Sequence, residues 1–232
     1  MGLGIGLTVS LELTTVRKSD FSDIYQSLAL AGRVCALVGT YFALAGVLLI
    51  ARIPWVERGV GHDRLVIWHR KLAPYSLFLI GFHVIFVIVG FAGLEQLPLY
   101  KELWRLITVY PWVIWGFIGF ILMVQAGITS YKKARAKMTY ETWWTLHVLT
   151  YGAIASSFMH QVVNGPMFIG HPLNKAYWIG LYVFTAGSIL IWRFGLPLAK
   201  SIRHDLKVDR VIVEAPGVLS VVVRGRALYK LG

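Results

Sequence analysis

Four histidines in this chain are spaced for chemistry. His69 and His83 lie 14 residues apart in one apolar stretch, His147 and His160 lie 13 apart in another, and no acidic residue falls inside either interval. At 1.5 Å per helical residue each interval separates its two imidazoles by roughly 20 Å, most of the way across a hydrocarbon core of about 30 Å. Ring nitrogens in hydrocarbon need partners, and ionisable residues inside a span are functional candidates by default. Two such helices side by side would bring the rings together as two pairs, one near each membrane face. One imidazole above and one below a macrocycle is the axial set of a six-coordinate haem iron. The spacing therefore points to two stacked b-type haems. A single histidine on an apolar face is more often a core residue bonded to a carbonyl, so the weight rests on the repetition of the pair. At about 100° per residue, 14 steps end about 40° short of four turns and 13 about 140° short. The second helix must either wind tighter or reach its two haems from different flanks.

The elements that carry these residues follow from hydropathy. Hydrophobic residues make up 57% of the chain and its mean hydropathy is +0.65, with the apolar residues in long blocks. That composition marks an integral membrane protein. Residues 28–50, 72–91, 112–128, 146–163 and 177–198 are each near the length that crosses hydrocarbon as a helix. The expected fold is an all-α polytopic bundle of about five transmembrane helices, with a partial sixth at the N-terminus left open. Residues 1–13 lack a basic leader and are too short to span, so they read as the tail of an upstream helix or as a surface segment.

The net charge of +12 does not imply nucleic acid, because the basic residues sit between spans and form no stripe with exposed aromatics. Arg52, Arg58, Arg64, Arg70 and Lys71 crowd the loop after the first span, and Lys132, Lys133, Arg135 and Lys137 the loop after the third. By the positive-inside rule these loops and the basic C-terminal tail are cytoplasmic and the N-terminus is outside, in a plasma membrane. His69 and His147 then lie near the cytoplasm, and His83 and His160 near the outer face. Trp55, Trp68, Trp104, Trp112, Trp143, Trp144 and Trp178 fall at span ends and read as interfacial anchors. The single cysteine, Cys35, excludes an intrachain disulfide and reads as packing.

Several other residues have two readings. Arg33, near the outer end of the first span, either snorkels to the headgroups or holds a propionate of the outer haem. Pro74, one turn into the second span, is expected to bend or open that helix and to help aim His69. The small residues Gly152, Ala153, Ala155, Ser156 and Ser157 between His147 and His160 admit a close helix or a flat macrocycle. The third span has Gln125 as its one strongly polar side chain and reads as a packing helix. His62, His171 and His204 read as surface residues. Beyond residue 198, Val208–Val213 and Val218–Val223 flank Glu214-Ala215-Pro216-Gly217, a strand, turn and strand.

The paired spacing on two spans running the same way, Gly32-Arg33 on the preceding span, and the hairpin after the last one resemble the ferric reductase and NADPH oxidase superfamily, particularly its bacterial members. The resemblance extends over nearly the whole chain. It implies that electrons from a cytoplasmic flavin and NAD(P)H module pass through an inner and an outer haem b to an extracytoplasmic acceptor such as ferric iron. It assigns His69 and His147 to the inner haem iron, His83 and His160 to the outer, and Arg33 to the outer haem. It divides the chain into an extracytoplasmic segment (1–27), a transmembrane di-haem domain (28–198) and a cytoplasmic tail that starts a truncated flavin-binding domain (199–232). FAD and NAD(P)H are then expected on a missing or separate C-terminal module, and the chain alone is not expected to oxidise NAD(P)H. Oxygen-reducing members carry a second histidine one turn past the outer ligand, where this chain has Val87, and some place an aromatic between the haems, where it has Ala153. Two other functions fit the residues: a haem-bearing subunit for a separate reductase, and a transporter whose histidines bind a metal or relay protons.

Overall fold

The computed structural model describes residues 2–228. A short helix α1 (Gly2–Leu13) and a single 3₁₀ turn at Lys18–Phe21 lead into α2 (Ile24–Leu49). Asp23 starts α2, its carboxylate accepting from the amides of Tyr25 and Gln26 at 2.7 and 3.0 Å and satisfying donors a helix start leaves open. The chain continues through α3 (Pro54–Val60), α4 (His62–Leu94), α5 (Leu99–Val109), α6 (Val113–Ser130), α7 (Lys132–Arg135), α8 (Tyr140–Asn164) and α9 (Pro172–Ser188). A π-helical turn at Ile189–Gly195 joins α9 to α10 (Leu196–Arg203), and the strands β1 (Lys207–Ala215) and β2 (Val218–Arg224) follow.

All five expected spans are helices. Four are both long and apolar enough to cross a membrane: α2, α4, α6 and the run from Pro172 to Arg203. The fifth, α8, has the length at 25 residues but not the apolarity, since its inner face carries His147, Ser156, Ser157, His160 and Gln161. α4 is much longer than residues 72–91, because helical structure begins at His62 and runs unbroken through Pro74. Large apolar side chains such as Phe78, Ile85, Ile121, Val183 and Leu190 point outward, as hydrocarbon allows and water does not.

Two tightly packed antiparallel pairs, α2 with α4 and α6 with α8, make up the bundle. Small residues bring the backbones together. A Cβ on Gly39 would lie 2.9 Å from Ile80 Cγ1, and one on Gly119 would lie 2.6 Å from the Ala153 carbonyl. The histidine-bearing helices α4 and α8 are not among the closely packed pairs. One apolar cluster, Leu11, Leu37, Val162, Met167, Phe168 and Trp178, ties α1 and α9 to one end of the bundle. A second, Val47, Ala51, Ile53 and Ile189, ties the π turn to the other end.

Some residues differ from expectation. Trp178 is 1% exposed and donates its indole N–H to Gln161 Oε1 at 2.9 Å, so it is a core residue and not an interfacial anchor. His204 is buried, its Nδ1 bonded to the Arg226 carbonyl at 2.7 Å, and so fastens the base of the hairpin to α10. α5 is an amphipathic helix where a loop was expected, with Glu102 fully buried against Arg105 and Tyr100 and Trp104 exposed. The hairpin matches its expected strands, with β1 running on to Ala215 and Gly217 at φ 80° completing the turn. Of the expected tail, residues 229–232 lie outside the described residues.

Candidate functional site

The two α4 histidines are held by α2. His69 Nδ1 lies 2.9 Å from the Gly46 carbonyl and His83 Nδ1 lies 3.0 Å from the Gly32 carbonyl. Midway between them, Ser76 Oγ donates to the Gly39 carbonyl at 2.7 Å. The three side chains are seven residues apart on one helix, and their three glycine partners are seven apart on the other, running the opposite way. Gly90, seven residues past His83, continues the register against Tyr25, seven before Gly32, where a Cβ would lie 2.9 Å from the Tyr25 carbonyl. A heptad repeat keeps one seam of a helix facing its neighbour, and here that seam carries the anchoring bonds. A carbonyl only accepts, so Nδ1 of each ring bears the proton and Nε2 keeps the lone pair that binds a metal.

The α8 histidines are held differently. His147 Nδ1 is 3.2 Å from Ser130 Oγ on α6, which also accepts from Trp143 Nε1 at 3.3 Å. The Trp143 ring stacks on His147 with centroids 5.1 Å apart and planes 21° apart, and the Arg135 guanidinium covers Trp143 at 4.8 Å. His160 lies against Gly116, where a Cβ would fall 2.6 Å from its Nδ1. That nitrogen is buried without a hydrogen-bond partner among the described residues. α8 is regular α-helix throughout, so it does not wind tighter; its histidines leave from different flanks.

Across the gap between α4 and α8, His69 and His147 form one ring pair, with centroids 6.1 Å apart and planes at 82°; His83 and His160 lie 14 and 13 residues further along the same two helices, at the other end of the gap. The order of the pairs makes α4 and α8 parallel. An imidazole nitrogen bonds a metal at about 2.0–2.1 Å, so two such bonds in line plus the ring radii come to roughly 6 Å. The His69/His147 pair is open by that amount.

Arg33 sits beside Gly32, at the level of His83, and is ion-paired. Its Nε bonds Glu12 Oε1 at 2.5 Å and its Nη2 lies 3.5 Å from Asp20. Glu12 comes from α1 and is fully buried, with its second oxygen unpartnered among the described residues. α1, at 12 residues, is too short to cross hydrocarbon. Burial holds the Glu12 carboxyl above the usual carboxylate range, and Arg33 pulls in the opposite direction. Sequence reasoning missed Glu12, although a lone acid in an apolar helix was the available signal. Val87 packs on Gly32, and Ala153 is fully buried with its carbonyl against Gly119.

A model of the family described as "Ferric reductase like transmembrane component" matches residues 35–158, more than half of the chain. The chain belongs to the ferric reductase-like transmembrane family. Searches of curated proteins and of solved structures returned no match. The matched stretch takes in most of α2 and α8 and all of α4 and α6, hence His69, His83 and His147, and ends two residues before His160. As a ferric reductase-like protein it is an integral membrane protein of the oxidoreductase class, built for transmembrane electron transfer in general.

Proposed function

We propose that this ferric reductase-like chain carries two b-type haems, one between His69 and His147 and one between His83 and His160. The observation that carries the reading is the anchoring of both α4 imidazoles through Nδ1, which leaves each Nε2 free for a metal, together with the placing of His69 beside a histidine of α8. Among the described residues no group of three or more His, Cys, Asp or Glu side chains comes together to hold a metal ion. Two-imidazole sites suit a metal whose other positions are filled by a macrocycle, and disfavour a transporter that binds a bare ion.

The haem irons supply one-electron chemistry when bound. The protein contributes axial ligation, the α2 carbonyls that orient the α4 ligands and raise their basicity, and the apolar surroundings that set the potentials. Orientation follows the charge pattern, with the Arg52–Lys71 and Lys132–Lys137 segments and the hairpin on the cytoplasmic side. Electrons enter there from a flavin and NAD(P)H module, on a longer form of the same chain or on a separate protein, reach the His69/His147 level first, and leave from the His83/His160 level to an acceptor such as ferric iron. Val87 in place of a further histidine disfavours oxygen as that acceptor. Arg33 reaches the outer haem only in competition with Glu12 and Asp20.

A dithionite-reduced minus oxidised spectrum of the purified protein, with haem quantified per chain, tests the reading. Two b-type haems are expected. His83→Ala or His160→Ala should remove one of them, and His69→Ala or His147→Ala the other. A colourless protein, expressed with haem available, overturns it.

A further inference from the structure

Two arginines stand beside the imidazole pairs, in opposite electrostatic situations. Arg33 is matched by Glu12 and Asp20. Arg193 makes one hydrogen bond among the described residues, Nη1 donating to the Ile50 carbonyl at 2.7 Å, and no ion pair. Ile50 follows Gly46 by one helical turn, so the Arg193 guanidinium and the His69 imidazole are anchored on neighbouring carbonyls at the same end of α2. From α8, Tyr151 packs into the apolar cluster formed there by Val47, Ala51, Ile189 and Trp192, one turn beyond His147.

The backbone that presents Arg193 is unusual. It lies within the π turn Ile189–Gly195, a conformation that is rare, rotates the residues beyond it, and is frequent at functional sites. Gly195 permits that turn, since a Cβ there would lie 2.7 Å from the Leu190 carbonyl. A cation at the end of α2 gains from the helix dipole, but one carbonyl leaves most of the guanidinium fork open. A half-buried guanidinium with no ion pair among the described residues needs an anion. The ligand proposed for that gap carries two carboxylates at its edge, and the arginine fork matches a carboxylate bidentately.

We propose that Arg193 is a positioning residue that clamps a propionate of the haem held between His69 and His147, an inference that rests on the haem reading above. The test is a redox titration of the purified protein in detergent, resolved into its two haem components, with haem retention and thermal unfolding measured in parallel. The wild-type spectrum comes first: absence of haem overturns the haem reading itself, before any variant is made. With two haems present, Arg193→Gln should lower the potential of one of them, because loss of a positive charge disfavours the added electron. The affected component should be the one that His69→Ala removes, and its retention should fall roughly 10–100-fold. Arg193→Lys keeps the charge without the fork, so it should restore the potential more fully than the retention. A purely structural cap on α2 would lower the unfolding temperature and leave both potentials and both retentions unchanged; that result overturns the proposal. If Arg193→Gln does not fold, Arg193→Lys decides: weaker retention of that one haem supports the clamp, and unchanged retention overturns it.

Discussion

His83 donates its Nδ1–H to the carbonyl of Gly32, 51 residues earlier in the chain, at 3.0 Å. Fourteen residues before His83, His69 makes the same bond to Gly46 at 2.9 Å, and Ser76 bonds Gly39 halfway between. One seam of α2 and α4 therefore places both histidine levels, and changes along it have graded consequences.

Gly39 and Gly46 separate packing from chemistry on that seam. A Cβ on Gly39 would lie 2.9 Å from Ile80 Cγ1 and 3.2 Å from the Ile80 amide, whereas one on Gly46 meets only His69 Nδ1 at an ordinary 3.6 Å. Gly39→Val should force the helices apart, at about 1–3 kcal/mol, and lower the content of both haems together. Gly46→Ala should leave both in place. Haem per chain, measured on each variant, checks the pair.

Gly116→Ala should act on one haem only. Its Cβ would fall 2.6 Å from His160 Nδ1, while nothing lies within 4 Å of a Cβ on Gly152. The first variant should displace the His160 ring and reduce the component that His83→Ala removes. Gly152→Ala should match the wild-type spectrum.

Trp143 and Ser130 hold His147 between a stacked ring and a hydroxyl. Trp143→Ala should weaken retention of the haem shared by His69 and His147 roughly 10–100-fold, as loss of an outer-shell partner does at other metal sites. Trp143→Phe keeps a ring to stack and should retain more of that haem. Competition with a haem-scavenging protein gives the comparison, and the other haem is its internal control.

Arg33→Met should destabilise the protein strongly, by about 3–5 kcal/mol, because it strands the fully buried Glu12 without its nearest cation. The pH dependence has a definite sign. Burial already raises the folded-state pKa of Glu12 above the usual value, and removing Arg33 raises it further. The folded variant then binds a proton that the unfolded chain gives up, so the variant is least stable at neutral pH and recovers as pH falls towards the ordinary carboxylate range. Glu12→Gln mimics the protonated form and should flatten that dependence. Thermal unfolding in detergent across pH, for wild type and both variants, measures it.

Much of the site was legible in the sequence because spacing survives folding. A helix converts a 14-residue interval into a depth, and His69, His83, His147 and His160 keep their pairing whatever the exact helix ends. Gly32, Gly39 and Gly46 recur at the same seven-residue interval as His69, Ser76 and His83, a pattern that went unread because a glycine signals only that something comes close. What comes close is a property of the partner helix. Glu12, Trp178 and His204 were harder to read for the same reason, since their burial depends on elements far away in the chain. The π turn leaves no mark in hydropathy, so neither it nor the placing of Arg193 could be read from residues 177–198. α5 escaped because an amphipathic helix of 11 residues is polar enough to pass for a loop.

The asymmetry between α4 and α8 has a mechanical meaning. α4 is fastened to its neighbour at three points along a fixed repeat, so it is locked in register: sliding along α2 by less than seven residues breaks all three bonds at once. α8 holds its histidines by a side-chain hydroxyl at one level and by simple contact at the other. The histidines of α4 are thus pinned by backbone carbonyls of a partner helix, and those of α8 by side-chain and packing contacts alone. In the two-haem reading proposed above, rings held by side chains alone would turn more easily than carbonyl-held ones to admit a bulky cofactor during assembly.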